Sequence, residues 1–324
     1  MKNAPDFKPS DPLFRALRFI AALTLVALSL PAYSQSTEVL YVADCKARAI
    51  HVYPAAVANP KPIGKISIGI NYPSYLATDA QGNLYVPDVT ASTVSVYPIF
   101  DPHQIDPTPF RVITHGIASP RSVAVDQNNT IYVANGGNST VTEYAFGQVG
   151  VTATITAPPV NWCNARDGNY CLPFGMTIDS EGSLYVNWQV INHVIANTLI
   201  YRYPAGSTVG VALNIGLLTA WSSAIIDDRL ALSGVGFAPK GSPNAVGILE
   251  YLLFKTSYQR FPLKVLEQGE AVQQLVYGSN QILYAAHSLP GSVDLLETTN
   301  VLIGKVTKGI SQVSGIAIGK SLSN

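Results

Sequence analysis

Pro73-Ser74-Tyr75-Leu76-Ala77-Thr78-Asp79-Ala80-Gln81-Gly82-Asn83-Leu84-Tyr85-Val86-Pro87-Asp88 reads as a strand, a tight turn and a second strand. Asp79 opens the turn, where its side chain is placed to accept a backbone N–H two residues on. Gly82 suits the positive φ that such a turn demands. A β-branched strand follows at Thr93-Val94-Ser95-Val96-Tyr97.

The same phrase returns along the chain. Pro120 to Asn135 with Thr140 to Tyr144 is one copy, and Pro173 to Trp188 with Leu199 to Tyr203 is another. Looser copies run over 222–232 with 247–251, and over 272–286 with 292–296. The ends are complementary halves. Leu40 to Asp44 and Ala49 to Pro54 lack a leading strand, and Val313 to Gly319 is a leading strand alone. Marks at 79, 126, 179, 227, 278 and 319 give six units, with fourth strands expected at 64–68, 110–114 and 151–155. Four-strand units of this length, repeated six times, predict an all-β fold, a six-bladed β-propeller over 35–324. The C-terminal strand would join the N-terminal strands and close the ring, removing open edges. An open solenoid would instead need capping repeats.

Composition agrees. The chain is 48% hydrophobic and only 12% charged, with 20 basic against 20 acidic residues. Disordered chains are the reverse, nucleic-acid binders show a basic excess, and solvated helical proteins need many more charges. Lys8, Arg15 and Arg18 precede an uncharged run from Phe19 to Leu30, then Ala32-Tyr33-Ser34. This predicts a signal peptide over 1–34 and a secreted or periplasmic location. The alternative, an uncleaved anchor, would use a run shorter than the ~20 residues that span a bilayer. Export permits a Cys163–Cys171 disulfide across an Asn- and Gly-rich loop, the alternative being a metal pair. Cys45 is left over as a thiol.

At the repeated residues the chain resembles the NHL-type six-bladed propellers and their relatives, which include gluconolactonase-like propellers. The resemblance is strongest at 73–96 and 120–141 and covers nearly all of the region after the signal peptide. It implies the fold. It does not fix an activity, since such propellers include binding modules, lactonases and lyases. The gluconolactonase-like relatives hold a divalent metal such as Ca2+ in the central channel, with acidic and Asn ligands. Here the corresponding positions are mostly Ala, Ser, Val and Leu. Asp44, Asp88, Asn135 and His287 stand at equivalent strand ends and form a weak candidate metal set.

Three segments are longer than the repeat requires. Residues 157–172 carry Trp162, Arg166, Asp167 and Tyr170; residues 187–197 carry Trp188 and His193; residues 233–246 carry Lys240. Long insertions in compact repeats are commonly functional, and aromatics beside charged groups suit a polar partner. The reading favoured is a monomeric, non-enzymatic propeller that binds a protein, peptide or glycan through these loops, without a cofactor and without a membrane span. A metal-dependent lactonase, other hydrolase or lyase is the alternative. Ordinary loop drift with a disulfide staple is the plain account of the same segments.

Overall fold

A computed structural model describes residues 38–160, 163, 170–191, 196–213, 215, 217–236, 245–253, 264–268, 272–297, 299 and 301–322. Six four-stranded antiparallel sheets form it. Blade I holds β1 (Glu38–Asp44), β2 (Ala49–Pro54) and β3 (Gly64–Ile66). Blade II is β4 (Ala77–Thr78), β5 (Leu84–Asp88), β6 (Thr93–Tyr97) and β7 (Arg111–Ile113). Blade III is β8 (Pro120–Val125), β9 (Ile131–Asn135), β10 (Thr140–Tyr144) and β11 (Ala153–Thr156). Blade IV is β12 (Tyr170–Ile178), β13 (Leu184–Ile191), β14 (Ala196–Tyr203) and β15 (Val211–Leu213). Blade V is β16 (Leu217–Ile226), β17 (Arg229–Gly236), β18 (Ala245–Leu252) and β19 (Lys264–Gln268). Blade VI is β20 (Val272–Tyr277), β21 (Leu283–His287), β22 (Ser292–Leu296) and β23 (Leu302–Val306).

The last strand, β24 (Val313–Lys320), is the inner strand of blade I. It pairs with β1 from Glu38↔Lys320 to Asp44↔Val313. The inner strands β24, β4, β8, β12, β16 and β20 meet in that order and return to β24. Closure is therefore of the kind expected from the split repeat. The Tyr of each Leu/Ile-Tyr motif explains how blades adhere. Tyr41 packs with Leu76 and Leu84 of blade II, Tyr85 with Val123 and Val133 of blade III, and Tyr132 with Leu184 and Val186 of blade IV. Burial of these rings is the main favourable term holding sheet to sheet.

The turns between first and second strands follow the sequence. Asp79 Oδ1 accepts from the Gln81 and Asn83 amides at 3.0 and 2.9 Å. Asp126 and Asp179 repeat this with Asn128, Thr130, Glu181 and Ser183. Gly82 and Gly182 sit at φ 90° and 81°. Asp227 differs. Ile226 pairs directly with Arg229, so the turn has two residues and Asp227 itself takes φ 53°.

No helix among the described residues is long and apolar enough to cross a membrane. Cys163 and Cys171 form a disulfide, and Cys45 is a buried free thiol.

Candidate functional site

On the face that carries the loops entering the inner strands, here called the upper face, every inner strand is interrupted at one register. Pairing slips at Arg121 in β8, at Phe174 and Gly175 in β12, at Trp221 in β16, at Gln273 in β20 and at Ser314 in β24. In blade II, Pro73 bridges Asp88 and the ladder resumes only at Ala77, which puts Ser74 at the same place. A bulge leaves its extra residue unpaired and re-aims the side chain. Six interruptions, one per blade, therefore ring the axis, with Ser74, Arg121, Phe174, Trp221, Gln273 and Ser314 at equivalent places.

The next layer down ties the blades together. Ser122 Oγ donates to Phe174 O at 2.6 Å, and Ser222 Oγ accepts from Leu275 N at 3.1 Å. Gln274 Oε1 accepts from Ile316 N at 2.8 Å and Leu76 N at 3.2 Å, while its Nε2 donates to Leu76 O at 3.0 Å. Gly175 and Gly315 give way instead, since a Cβ there would run into the backbone of Trp221 and of Ser74. Below this layer the axis holds a cavity of about 280 Å³ whose lining includes Ala77, Ala124, Met176, Ser223 and Ala317.

Of the six residues at these interruptions, Ser74 and Ser314 bond backbone carbonyls, of Arg121 at 2.6 Å and Ala43 at 3.4 Å. Arg121, Phe174, Trp221 and Gln273 remain, all half-buried. The Arg121 guanidinium lies 5.5 Å from the centre of the Phe174 ring, a cation–π contact. Its Nε is buried without a hydrogen-bond partner, and a Cβ on Gly136 would come within 2.9 Å of that atom. The Tyr75 ring meets Phe174 edge-on at 5.7 Å, and its hydroxyl is likewise buried without a partner. Burial raises the Tyr75 phenol pKa, and Arg121 opposes the rise. The Tyr72 phenol is raised by the neighbouring Cys45 thiol and then by burial, with Arg121 again opposing. Among the described residues Arg121 forms no ion pair.

Blades IV and V rise beside this ring. Their second strands have 8 residues each, against 5 in β5 and β9. Parts of the expected loops are thus strand: Tyr170 to Leu172, Asn187 to Ile191 and Ser233 to Gly236. Tyr170 is 52% exposed at the rim, beside the disulfide that staples it. Trp188 requires a correction as a contact residue. It is fully buried in β13, its Nε1 donates to Tyr203 Oη at 3.1 Å, and it packs with Ala134 and Cys171. Trp162, Arg166, Asp167, His193 and Lys240 lie outside the described residues.

The strand-end set is not gathered around the axis. Asp44 accepts from the amides of Ala47, Ser311 and Gln312. Asp88 accepts from the amides of Asn71, Tyr72, Thr90 and Ala91 and from the Thr90 hydroxyl. Burial pushes the Asp88 carboxyl up, but these donors outweigh it and hold it below the usual range. Asn135 Oδ1 accepts from Ala118 N. Each braces the loop that enters its own blade. His287 is buried, 3.8 Å from Asp294. Among the described residues no group of three or more His, Cys, Asp or Glu is arranged to hold a metal. The layer facing the axis offers Tyr75, Ser122, Gly175, Ser222, Gln274 and Gly315, a poor donor set for Ca2+ or Mg2+.

Comparison with known proteins bears on the fold. The NHL repeat family model matches residues 118–144, the copy that contains Arg121 and Asn135. The chain is a six-bladed propeller in which residues 118–144 match the NHL repeat model. No curated protein matches it in sequence. Among solved structures, the propeller is similar to a protein of unknown function from Bacteroides caccae (13% identity, TM-score 0.58, 87% of this chain and 98% of the other). A functionally unknown protein from Desulfotomaculum acetoxidans is similar at 12% identity and TM-score 0.58, covering 88% of this chain and 99% of the other. The gluconolactonase XC5397 of Xanthomonas campestris is similar at 12% identity and TM-score 0.55, covering 86% and 87%. At such identities the likeness concerns the fold alone.

Arg121, Phe174, Trp221 and Tyr72 were not singled out by sequence reasoning. The signal was present in the two variable positions after the leading Pro of Pro73, Pro120 and Pro173, where the repeat changes residue from blade to blade.

Proposed function

We propose that this propeller is a non-enzymatic binding module, working outside the cytoplasm as a monomer without a bound metal. It recognises a protein, peptide or glycan through its upper face. The observation that carries this reading is the ring of strand interruptions, in which Arg121, Phe174 and Trp221 stand side by side next to the raised strands of blades IV and V. Aromatic groups around a few polar ones are the usual make-up of a recognition site. The disulfide supports an oxidising compartment. Trp162, Arg166, Asp167, Tyr170, His193 and Lys240 belong to the segments that continue the raised wall in sequence, and we assign them to the same surface.

The test is binding of the exported chain to arrays of glycans and peptides, repeated with Trp162→Ala, Arg166→Ala and Trp221→Ala. Retention weakened about tenfold or more by these changes, with melting unaltered, is the expected result. Retention indifferent to all three would reject the surface. The likeness to a gluconolactonase supplies the competing reading, a metal-dependent hydrolase. It would require a donor set that the described axis residues do not offer.

A further inference from the structure

We propose that the upper mouth of the ring seats the carboxylate of an acidic saccharide on Arg121, with Trp221 and Tyr72 flanking the sugar. The inference rests on the reading of the upper face as a binding face and names what it binds.

Three observations converge. The first is charge. In a chain with 12% charged residues, Arg121 has no ion pair among the described residues. A guanidinium is a planar fork of donors that matches a carboxylate with two parallel hydrogen bonds. It is also held in place, between the Phe174 ring and the bare backbone of Gly136. Side chains locked in this way lose little freedom when a ligand arrives. A phosphate, with its greater charge, would call for more than one cation.

The second observation is the orphaned hydroxyl of Tyr75. The residue is 4% exposed and its Oη has no partner, although its ring is packed against the same Phe174. Native proteins rarely leave a buried donor unmade. Its position beside Arg121 makes it a second donor for an anion that enters the mouth.

The third is the shape of the surround. Tyr72 is 44% exposed and Trp221 is half-buried in the neighbouring bulge to Phe174. Flat aromatic faces suit the C–H face of a sugar ring. A peptide fits less well. Strand addition needs an open sheet edge, and the open edges here are the outer strands β3, β7, β11, β15, β19 and β23. A peptide ammonium would need a carboxylate, and those of Asp44 and Asp88 are already saturated by backbone N–H groups.

The experiment is calorimetric titration of the exported chain with a galacturonate trisaccharide, the uncharged galactose trisaccharide and a glutamate-rich peptide. Binding of the acidic saccharide alone is expected, weakening as salt rises. Arg121→Gln should weaken it about tenfold or more, and Arg121→Lys should restore part of the loss. Tyr72→Ala, at an exposed position, should weaken it with no change in melting, which keeps the test valid if the Arg121 variants unfold. Equal binding of both saccharides, binding of the peptide in place of the saccharide, no binding of the galacturonate, or an Arg121→Gln protein of unchanged affinity would each overturn the assignment. A partner still retained by Arg121→Gln through the raised wall would leave the binding reading standing without this site.

Discussion

Gln274 and Leu76 are 198 positions apart, yet the side-chain amide of one is bonded to both backbone groups of the other, at 3.2 and 3.0 Å. The link spans blade I, where the same Oε1 accepts from Ile316 N. A single residue thus joins blade VI, the closure strand and blade II. Beside it, the bare Gly315 lets the closure strand lie against the backbone of Ser74 and Tyr75.

Replacing Gln274 by Ala would strand two N–H groups and a carbonyl in a buried layer. The expected cost is about 2–4 kcal/mol, read as a lower urea midpoint with an unchanged slope. A loss below about 0.5 kcal/mol would show that the layer is wet and the link incidental.

Asp88 makes stability depend on acid. Its folded carboxyl is held below its ordinary value, so its contribution is fully present above about pH 4 and lost as pH falls through the folded value. The Asp88→Asn protein should be less stable at neutral pH, because the Asn71 and Tyr72 amides lose an acceptor. It should also show a flatter acid limb. Parallel pH profiles for the two proteins would contradict the assignment.

Trp188→Ala should cost about 3–5 kcal/mol, the range for an aromatic removed from a core. Trp221→Ala should weaken recognition with little change in stability. Urea melts combined with array binding separate the two roles. An unstable Trp221→Ala protein with intact binding would reverse them.

Reduction of Cys163–Cys171, which closes a loop of sequence separation 8, should lower stability by roughly 2–3 kcal/mol. The rest of the ring should stay folded. Complete unfolding under reductant alone would mean that the staple holds more than its own blade.

These outcomes mark what could be read from the sequence. Asp79, Asp126 and Asp179 were legible because each acts within its own turn, and closure was legible because both half-repeats survive at the ends. Trp188 misled because residues 187–197 read as a loop insertion. In blade IV the strand runs on to Ile191, and the alternation Val186, Trp188, Val190 places the indole inside. The mouth left only a faint mark in the sequence, the variable positions after each leading Pro. Arg121, Phe174 and Trp221 meet only after three blades have been set around one axis, and within each repeat they occupy positions with no fixed residue.

The most direct test of the binding reading is hydrolysis of glucono-lactone by the metal-replete protein, measured with and without a chelator. The account predicts no turnover above background in either sample. Turnover that disappears with the chelator would contradict it.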